Sequence, residues 1–272
     1  MTTKKQLGVC TWTFGDISLA EIAQRLAALD YDGVELMGNL DACQPAVAAK
    51  ILQDHNLQVF SLTPDNVDLA HPDDSIRGKA IDYYRRLLDF AAELGRLLVS
   101  CHGYVGRVRP VSTQSQERTM FVEAVRQIAE RAAQLDLRLV MEVLNRYEAH
   151  LLNTAAEAVA FVSEVGTDNV GILLDAYHMN IEEADPARAL RQAGRRLWLY
   201  HAADSNRQGI GRGHTDFIGQ LAALSQIGYQ GPIILECTAP GPDPFTVIKG
   251  QDSLDWLEIY LQESRAWLKG RQ

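Results

Sequence analysis

The sequence has no basic excess: 26 Lys and Arg stand against 35 Asp and Glu, a net charge of −9. That balance argues against a broad phosphate-binding surface, and with it a nucleic-acid partner. The 4 cysteines (Cys10, Cys43, Cys101, Cys237) form no C-x-x-C pair and no dense framework, which points to a reduced, cytoplasmic setting. No apolar h-region follows Lys4 and Lys5, so no signal peptide is expected. No run approaches about 18 unbroken apolar residues, so no membrane contact is expected either. Gly/Ser linkers, low-complexity tracts and shifts of composition are also missing, so residues 1–272 read as one domain.

What is present is the balance of an ordinary globular protein with a sizeable core, 47% hydrophobic and 22% charged. Short apolar runs alternate with longer amphipathic segments. The runs at 7–13, 33–37, 57–62, 97–101, 137–143, 170–174, 197–201 and 233–236 read as strands. Between them lie helical segments, the first opened by a capping box, Ser18-Leu-Ala-Glu21. Later ones cover 45–55, a long stretch around Ile81–Leu94, 116–134, 154–165, 186–193, 217–227 and 254–268. Eight strand–helix units of about 34 residues each predict an α/β protein, a single (β/α)8 TIM barrel. A doubly wound sheet would carry G-x-G-x-x-G after an early strand, whereas Gly209, Gly211 and Gly213 come late, in a loop. That loop reads as one that could move over a substrate.

Four late strands end in side chains able to bind a metal: Glu142, Asp175, His201 and Glu236. In a barrel these ends converge on one face, and carboxylates gathered there repel one another unless a cation neutralises them. Three carboxylates and an imidazole make a hard site, suited to Mn²⁺, Mg²⁺ or Co²⁺ more than to Zn²⁺. Near each ligand stands further polar chemistry: Glu148 after Glu142, His178 after Asp175, and Arg207 after His201. This set suits a polyhydroxylated carbonyl compound.

The stretches E-V-L-N-R-Y-E (142–148), L-D-A-Y-H-M-N-I-E-E (174–183) and H-A-A-D-S-N-R (201–207) resemble the D-tagatose/D-psicose (ketose) 3-epimerases. Those enzymes belong to the xylose-isomerase-like TIM-barrel superfamily. The resemblance is densest over Leu139–Arg207 and includes Asn153-Thr-Ala-Ala-Glu157; Glu236 fits by position. It implies one divalent metal, Mn²⁺ first and Co²⁺ or Mg²⁺ next, held by Glu142, Asp175, His201 and Glu236. It also implies substrate contacts from Glu148, His178 and Arg207, and a homodimer or homotetramer. The implied reaction is C3 epimerisation of a free ketose through a metal-stabilised enediolate, with Glu142 and Glu236 as the acid/base pair.

Three features depart from the family pattern. Asp204 stands where Glu is usual, Cys237-Thr-Ala-Pro-Gly-Pro242 follows Glu236 in place of Pro-Phe, and His102-Gly-Tyr104 is more polar than the apolar wall expected there. His102 and Trp12, both at strand ends, are added as candidate substrate contacts, while His55, His71, His150 and His214 read as surface or loop residues. The same metal cage would also serve an isomerase of a hydroxy-carbonyl acid, or a lyase or dehydratase acting on a keto-sugar, keto-inositol or 3-oxo-C-glycoside. A metal-rich repair endonuclease of the same fold is disfavoured by the charge, and a non-catalytic sugar-binding barrel by the intact ligand set.

Overall fold

Strands rich in Val, Ile and Leu, buried on both faces, belong in a parallel sheet covered by helices. The computed structural model describes residues 5–240 and 245–271 and closes that sheet on itself. Its strands are β1 (Leu7–Cys10), β2 (Gly33–Met37), β3 (Gln58–Thr63), β4 (Leu98–Cys101), β5 (Arg138–Val143), β6 (Val170–Asp175), β7 (Leu197–Ala202) and β8 (Ile233–Leu235). They run in order around the barrel, and β8 pairs with β1 to complete it. The helices are α1 (Leu19–Ala28), α2 (Pro45–Asp54), α3 (Asp74–Leu94), α4 (Gln114–Gln134), α5 (Ala155–Val165), α6 (Ala176–Glu182), α7 (Pro186–Ala193), α8 (Phe217–Gln226) and α9 (Gln251–Lys269). The expected (β/α)8 barrel is the observed one. Residues 1–4, Lys4 among them, and 241–242 at the end of the run 237–242 lie outside the described residues.

Local differences have local causes. The first strand stops at Cys10 rather than Thr13, because Thr11–Phe14 turn into a 3-10 helix and Thr13 Oγ1 donates to the Cys10 carbonyl at 2.8 Å. Helix α4 starts earlier than the apolar spacing suggests, since Thr113 caps it by accepting from Gln116 N. Only half of the box at Ser18 forms: Ser18 Oγ accepts from Glu21 N, while the Glu21 carboxylate turns to Arg25. The full reciprocal box occurs instead at α5, between Thr154 and Glu157. Helix α6 was not anticipated, because its seven residues show no long apolar period. Among the described residues, no helix is long and apolar enough to cross a membrane.

The barrel interior is filled from below. Val140, Leu173, Leu199 and Ile234 pack with Phe60, Leu98 and Trp198 into an inner core, separate from the larger core between strands and helices. Inward-facing glycines make room for the large rings. A Cβ on Gly33 would lie 2.2 Å from the Gln58 carbonyl oxygen and 2.7 Å from the Phe60 ring, and one on Gly171 would lie 2.3 Å from the Trp198 ring. The floor is closed, so the end toward which the strands point is where polar side chains gather.

On that face Arg107 braces three loops. It pairs with Asp68 at 2.8 Å and with the buried Glu117, which also meets His150 Nε2 at 2.9 Å. His150, read from sequence as a surface or loop residue, is a half-buried loop residue that serves as a strut. The floor generates a test: Gly33→Ala should lower stability by about 1–3 kcal/mol through overpacking. Urea unfolding reads this directly, and an unchanged midpoint would contradict the tight floor.

Candidate metal centre at the strand ends

Side chains alternate along a strand, so residues two apart share a face. Val140, Leu173, Leu199 and Ile234 belong to the inner core. Two residues further on, Glu142, Asp175, His201 and Glu236 must occupy the same inward face one layer higher. The same step carries Gly33 to Glu35 and Leu98 through Ser100 to His102. Asp175 pairs with His201, while Glu142 pairs with Leu173 and His201 with Ile234, so the four ends are staggered along neighbouring strands. All four predicted ligands are buried.

His201 is the hub. Its Nδ1 lies 3.4 Å from Glu236 Oε2 and 3.9 Å from Glu142 Oε1, and has no hydrogen-bond partner. Its Nε2 donates to Glu35 Oε2 at 3.2 Å on the other side of the ring. Asp175 divides its work: Oδ1 caps α6 by accepting from Tyr177 N at 2.8 Å, and Oδ2 is buried without a partner. A carboxylate oxygen and an imidazole nitrogen without hydrogen-bond partners, beside two more carboxylates, form a donor set of the kind that suits a hard divalent cation. Cys10 Sγ also reaches this cluster, within 4.8 Å of ligand atoms of His201 and Glu236, and donates weakly to Glu35 and Glu236. Cys10 thus packs in the inner core and also touches the carboxylates of the site.

The charges are strained by this proximity. Burial and then Glu236 raise the Glu142 carboxyl well above its usual range, and the same two causes raise Asp175 to about 7. Burial would also raise Glu236, but His201 and Arg207 beside it hold it well below its usual range. Burial would lower His201, yet Glu35 and Glu236 raise it well above the usual histidine value. Two carboxyls with opposed proton affinities thus flank one imidazole, and their mutual repulsion is what a cation would relieve.

Above the cluster sits Arg207, whose guanidinium donates to Glu236 Oε2 at 3.0 Å and lies 3.9 Å from Glu148 Oε1. It is stacked among Trp12, Tyr177 and Phe245, 4.7 Å from the Tyr177 ring centroid and 5.7 Å from each of the others. Its Nε and Nη1 are buried with no partner, and its backbone takes φ 60°, a left-handed geometry that costs energy for a residue with a Cβ. Trp12 Nε1 donates to Glu236 Oε1 at 2.8 Å, while its ring stacks on Phe245. Beside Arg207 a cavity of ≈ 280 Å³ opens, lined by Glu148, Tyr177, Thr238 and Phe245 among others.

His178 and Glu148 are set by a residue that sequence reasoning passed over. Asn145 Nδ2 donates to Glu148 Oε1 and to His178 Nδ1, each at 2.8 Å. With Nδ1 accepting, His178 keeps its proton on Nε2, which faces Asp175 Oδ2 at 3.7 Å. Burial and then Arg207 hold His178 well below its usual value, so the ring stays neutral. His102 is buried with Nδ1 unpartnered, and burial lowers it to about 4. A neutral imidazole of this kind can both donate to and accept from a hydroxyl.

The glycine-rich loop differs from expectation. Asp204 accepts from the backbone N–H groups of Ser205, Gly211 and Thr215 at 2.7, 2.8 and 3.0 Å, and Ile210 N donates to Ser264 Oγ on α9. The loop is pinned to the barrel rather than free to swing. His214 bonds to Ser205 Oγ and is exposed, as expected. Glu35 was the other omission, and its signal was present: one carboxylate inside the otherwise apolar run Gly33–Met37.

The family model described as xylose isomerase-like TIM barrel matches residues 23–269. The L-ribulose 3-epimerase of Methylomonas sp. (strain DH-1) is 34% identical over 231 residues, covering 82% of this chain and 80% of that protein. The 3-dehydro-D-guloside 4-epimerase of Escherichia coli K12 is 32% identical over 179 residues, covering 63% of this chain and 68% of that protein. The crystal structure of D-psicose 3-epimerase with D-tagatose from Clostridium cellulolyticum H10 superposes with a TM-score of 0.87 at 25% identity, covering 97% of this chain and 98% of that one.

The orphaned donors generate a prediction. A divalent cation should raise the melting temperature of chelator-treated protein by several degrees. A hundredfold excess over Kd adds about 2.7 kcal/mol, and each kcal/mol moves a domain of this size by roughly 2–4 °C. Because the cation needs ionised carboxylates and Asp175 titrates near about 7, the gain should shrink as pH falls from 8 to 6. Thermal melts with and without Mn²⁺ test this; no shift, or a shift independent of pH, contradicts it.

Proposed function

The chain belongs to the xylose isomerase-like TIM barrel family, and from that premise we propose that it is a divalent-metal-dependent ketose 3-epimerase acting on a free sugar. The observation that carries this reading is the pair Glu142 and Glu236, two buried carboxylates 3.9 and 3.4 Å from the same His201 nitrogen, Nδ1. Two carboxylates gathered at one buried centre are the groups that proton exchange at a substrate carbon needs. Relatives over most of the chain that are sugar epimerases support the reaction class.

Glu142, Asp175, His201 through Nδ1, and Glu236 would hold the cation, with Mn²⁺ the first candidate among hard divalent ions. When bound, it supplies Lewis-acid stabilisation of negative charge developing at the carbonyl oxygen. The protein's own groups do the rest. One of Glu142 and Glu236 takes the C3 proton as the sugar becomes an enediolate, and the other returns a proton to the opposite face. The sugar's configuration at C3 decides which acts first. Arg207, with two free N–H donors, His178 and Glu148 hold the substrate oxygens near the carbonyl, and Asn145 keeps the last two aligned. Trp12 closes over the apolar side, and His102 reads a hydroxyl further along the chain.

The same proposal places the protein in the cytoplasm as a homodimer or homotetramer. Its four free cysteine thiols support a reducing compartment.

A second reading is favoured by the 4-epimerase relative and by the polar His102: epimerisation of a 3-keto glycoside at C4. Proton NMR in D₂O separates the two, with Mn²⁺ chelated before acquisition. Metal-dependent deuterium at C3 of tagatose, fructose, psicose, ribulose or xylulose, together with the C3 epimer, is the expected result. Deuterium only at C4 of a 3-keto hexoside would support the second reading, and deuterium at C1 with an aldose product would indicate an aldose–ketose isomerase. Glu142→Gln and Glu236→Gln should each cut turnover by about 10³-fold or more while circular dichroism stays unchanged. Near-normal activity in either variant would end the two-carboxylate mechanism.

A further inference from the structure

We infer that Glu35 is a positioning residue for the metal centre: its carboxylate holds the Nε2–H of His201, so that Nδ1 is the nitrogen offered to the cation. The inference rests on the metal reading above and concerns a residue outside the four ligands.

The geometry assigns opposite tasks to the two edges of the imidazole. Nε2 lies 3.2 Å from Glu35 Oε2, whereas Nδ1 faces Glu236 and Glu142 and makes no hydrogen bond. A neutral imidazole carries its proton on one nitrogen, and the partner of that nitrogen decides which one remains a ligand. When a cation displaces the Nδ1 proton, the carboxylate on Nε2 retains the remaining one, and the Nδ1 lone pair is then directed at the carboxylate cluster.

Glu35 is itself built in. It is fully buried on β2, and two hydroxyls of β3 donate to it: Ser61 Oγ to Oε2, and Thr63 Oγ1 to Oε1 at 2.6 Å. Cys10 Sγ on β1 adds a weak bond to Oε1 at 3.5 Å. Both oxygens are thus already engaged by the protein. They also lie on the side of the ring away from Glu142 and Glu236, so Glu35 orients a ligand rather than serving as one. Its supports come from strands, not loops, which fixes the imidazole relative to the barrel. Taking a carboxylate out of water is costly, and a histidine needing only a packing partner could use a backbone carbonyl.

The test is an EPR titration of Mn²⁺ into chelator-treated protein, comparing wild type with Glu35→Gln, Glu35→Asp and Glu35→Ala. Gln keeps an acceptor oxygen at the same reach and should retain Mn²⁺ affinity within a few-fold. Asp keeps the charge but withdraws it by one methylene, and Ala removes the acceptor. Each of these should weaken binding by about 10–100-fold, the range found for lost outer partners of metal-bound histidines. Melting of the metal-free variants is read alongside. If Asp or Ala lowers the metal-free melting temperature but leaves Mn²⁺ affinity unchanged, the inference is overturned and Glu35 only supports the fold. If Ala does not fold, the Asp and Gln variants carry the comparison, and equal affinity in both overturns it as well. Failure of wild type to bind Mn²⁺ is a different result, which removes the metal reading itself.

Discussion

Carboxylates crowded around one buried imidazole are the constraint on which this structure turns. Glu35, Glu142, Asp175 and Glu236 all lie out of water, and His201 and Arg207 bring positive charge among them. Two carboxyls are consequently driven toward their neutral forms and two are held ionised. Such a cluster is unfavourable without compensating positive charge, and a divalent cation among the carboxylates would offset their mutual repulsion. The surrounding features serve that arrangement. Asp175 uses one oxygen for a helix cap and spares the other, Trp12 bonds to Glu236 rather than only packing, and Arg207 is held in a left-handed backbone geometry directly above.

The barrel makes this crowding sustainable. Large rings at the floor, admitted by glycines at positions 33 and 171, close the lower end to solvent. The staggered strands then deliver Glu35, Glu142, Asp175, His201 and Glu236 to the upper end of the barrel. Loops add the remaining polar groups, and they are braced rather than loose: Arg107 ties Asp68 to Glu117, and Asp204 ties the glycine-rich turn to its own backbone. Groups held this firmly can approach one another at distances that flexible loops would not maintain against repulsion.

Much of this was legible in the residues. The eight apolar runs and the helical spacing between them are local patterns, and they translate into a barrel because strand–helix alternation has few packed solutions. Acidic and imidazole side chains at four consecutive strand ends are likewise visible in the chain, and their convergence follows from the fold. Other features were not legible. His150 reads as a loop histidine until Glu117 is found against it, and Asn145 reads as filler until it is seen between Glu148 and His178. The glycines at 209–213 suggested a moving lid because composition reports conformational freedom, whereas Asp204 and Ser264 remove that freedom through contacts across the fold.

The sequence by itself determined the class of fold and which carboxylates and imidazole stand at the strand ends, because these depend on covalent chemistry and short-range periodicity. Tertiary structure decided which nitrogen of His201 is free, that Glu35 is its partner, and that Glu142 and Glu236 differ in proton affinity. Those properties depend on burial and on separations of a few ångströms between residues up to 166 positions apart in the chain. Only the closed barrel sets such distances.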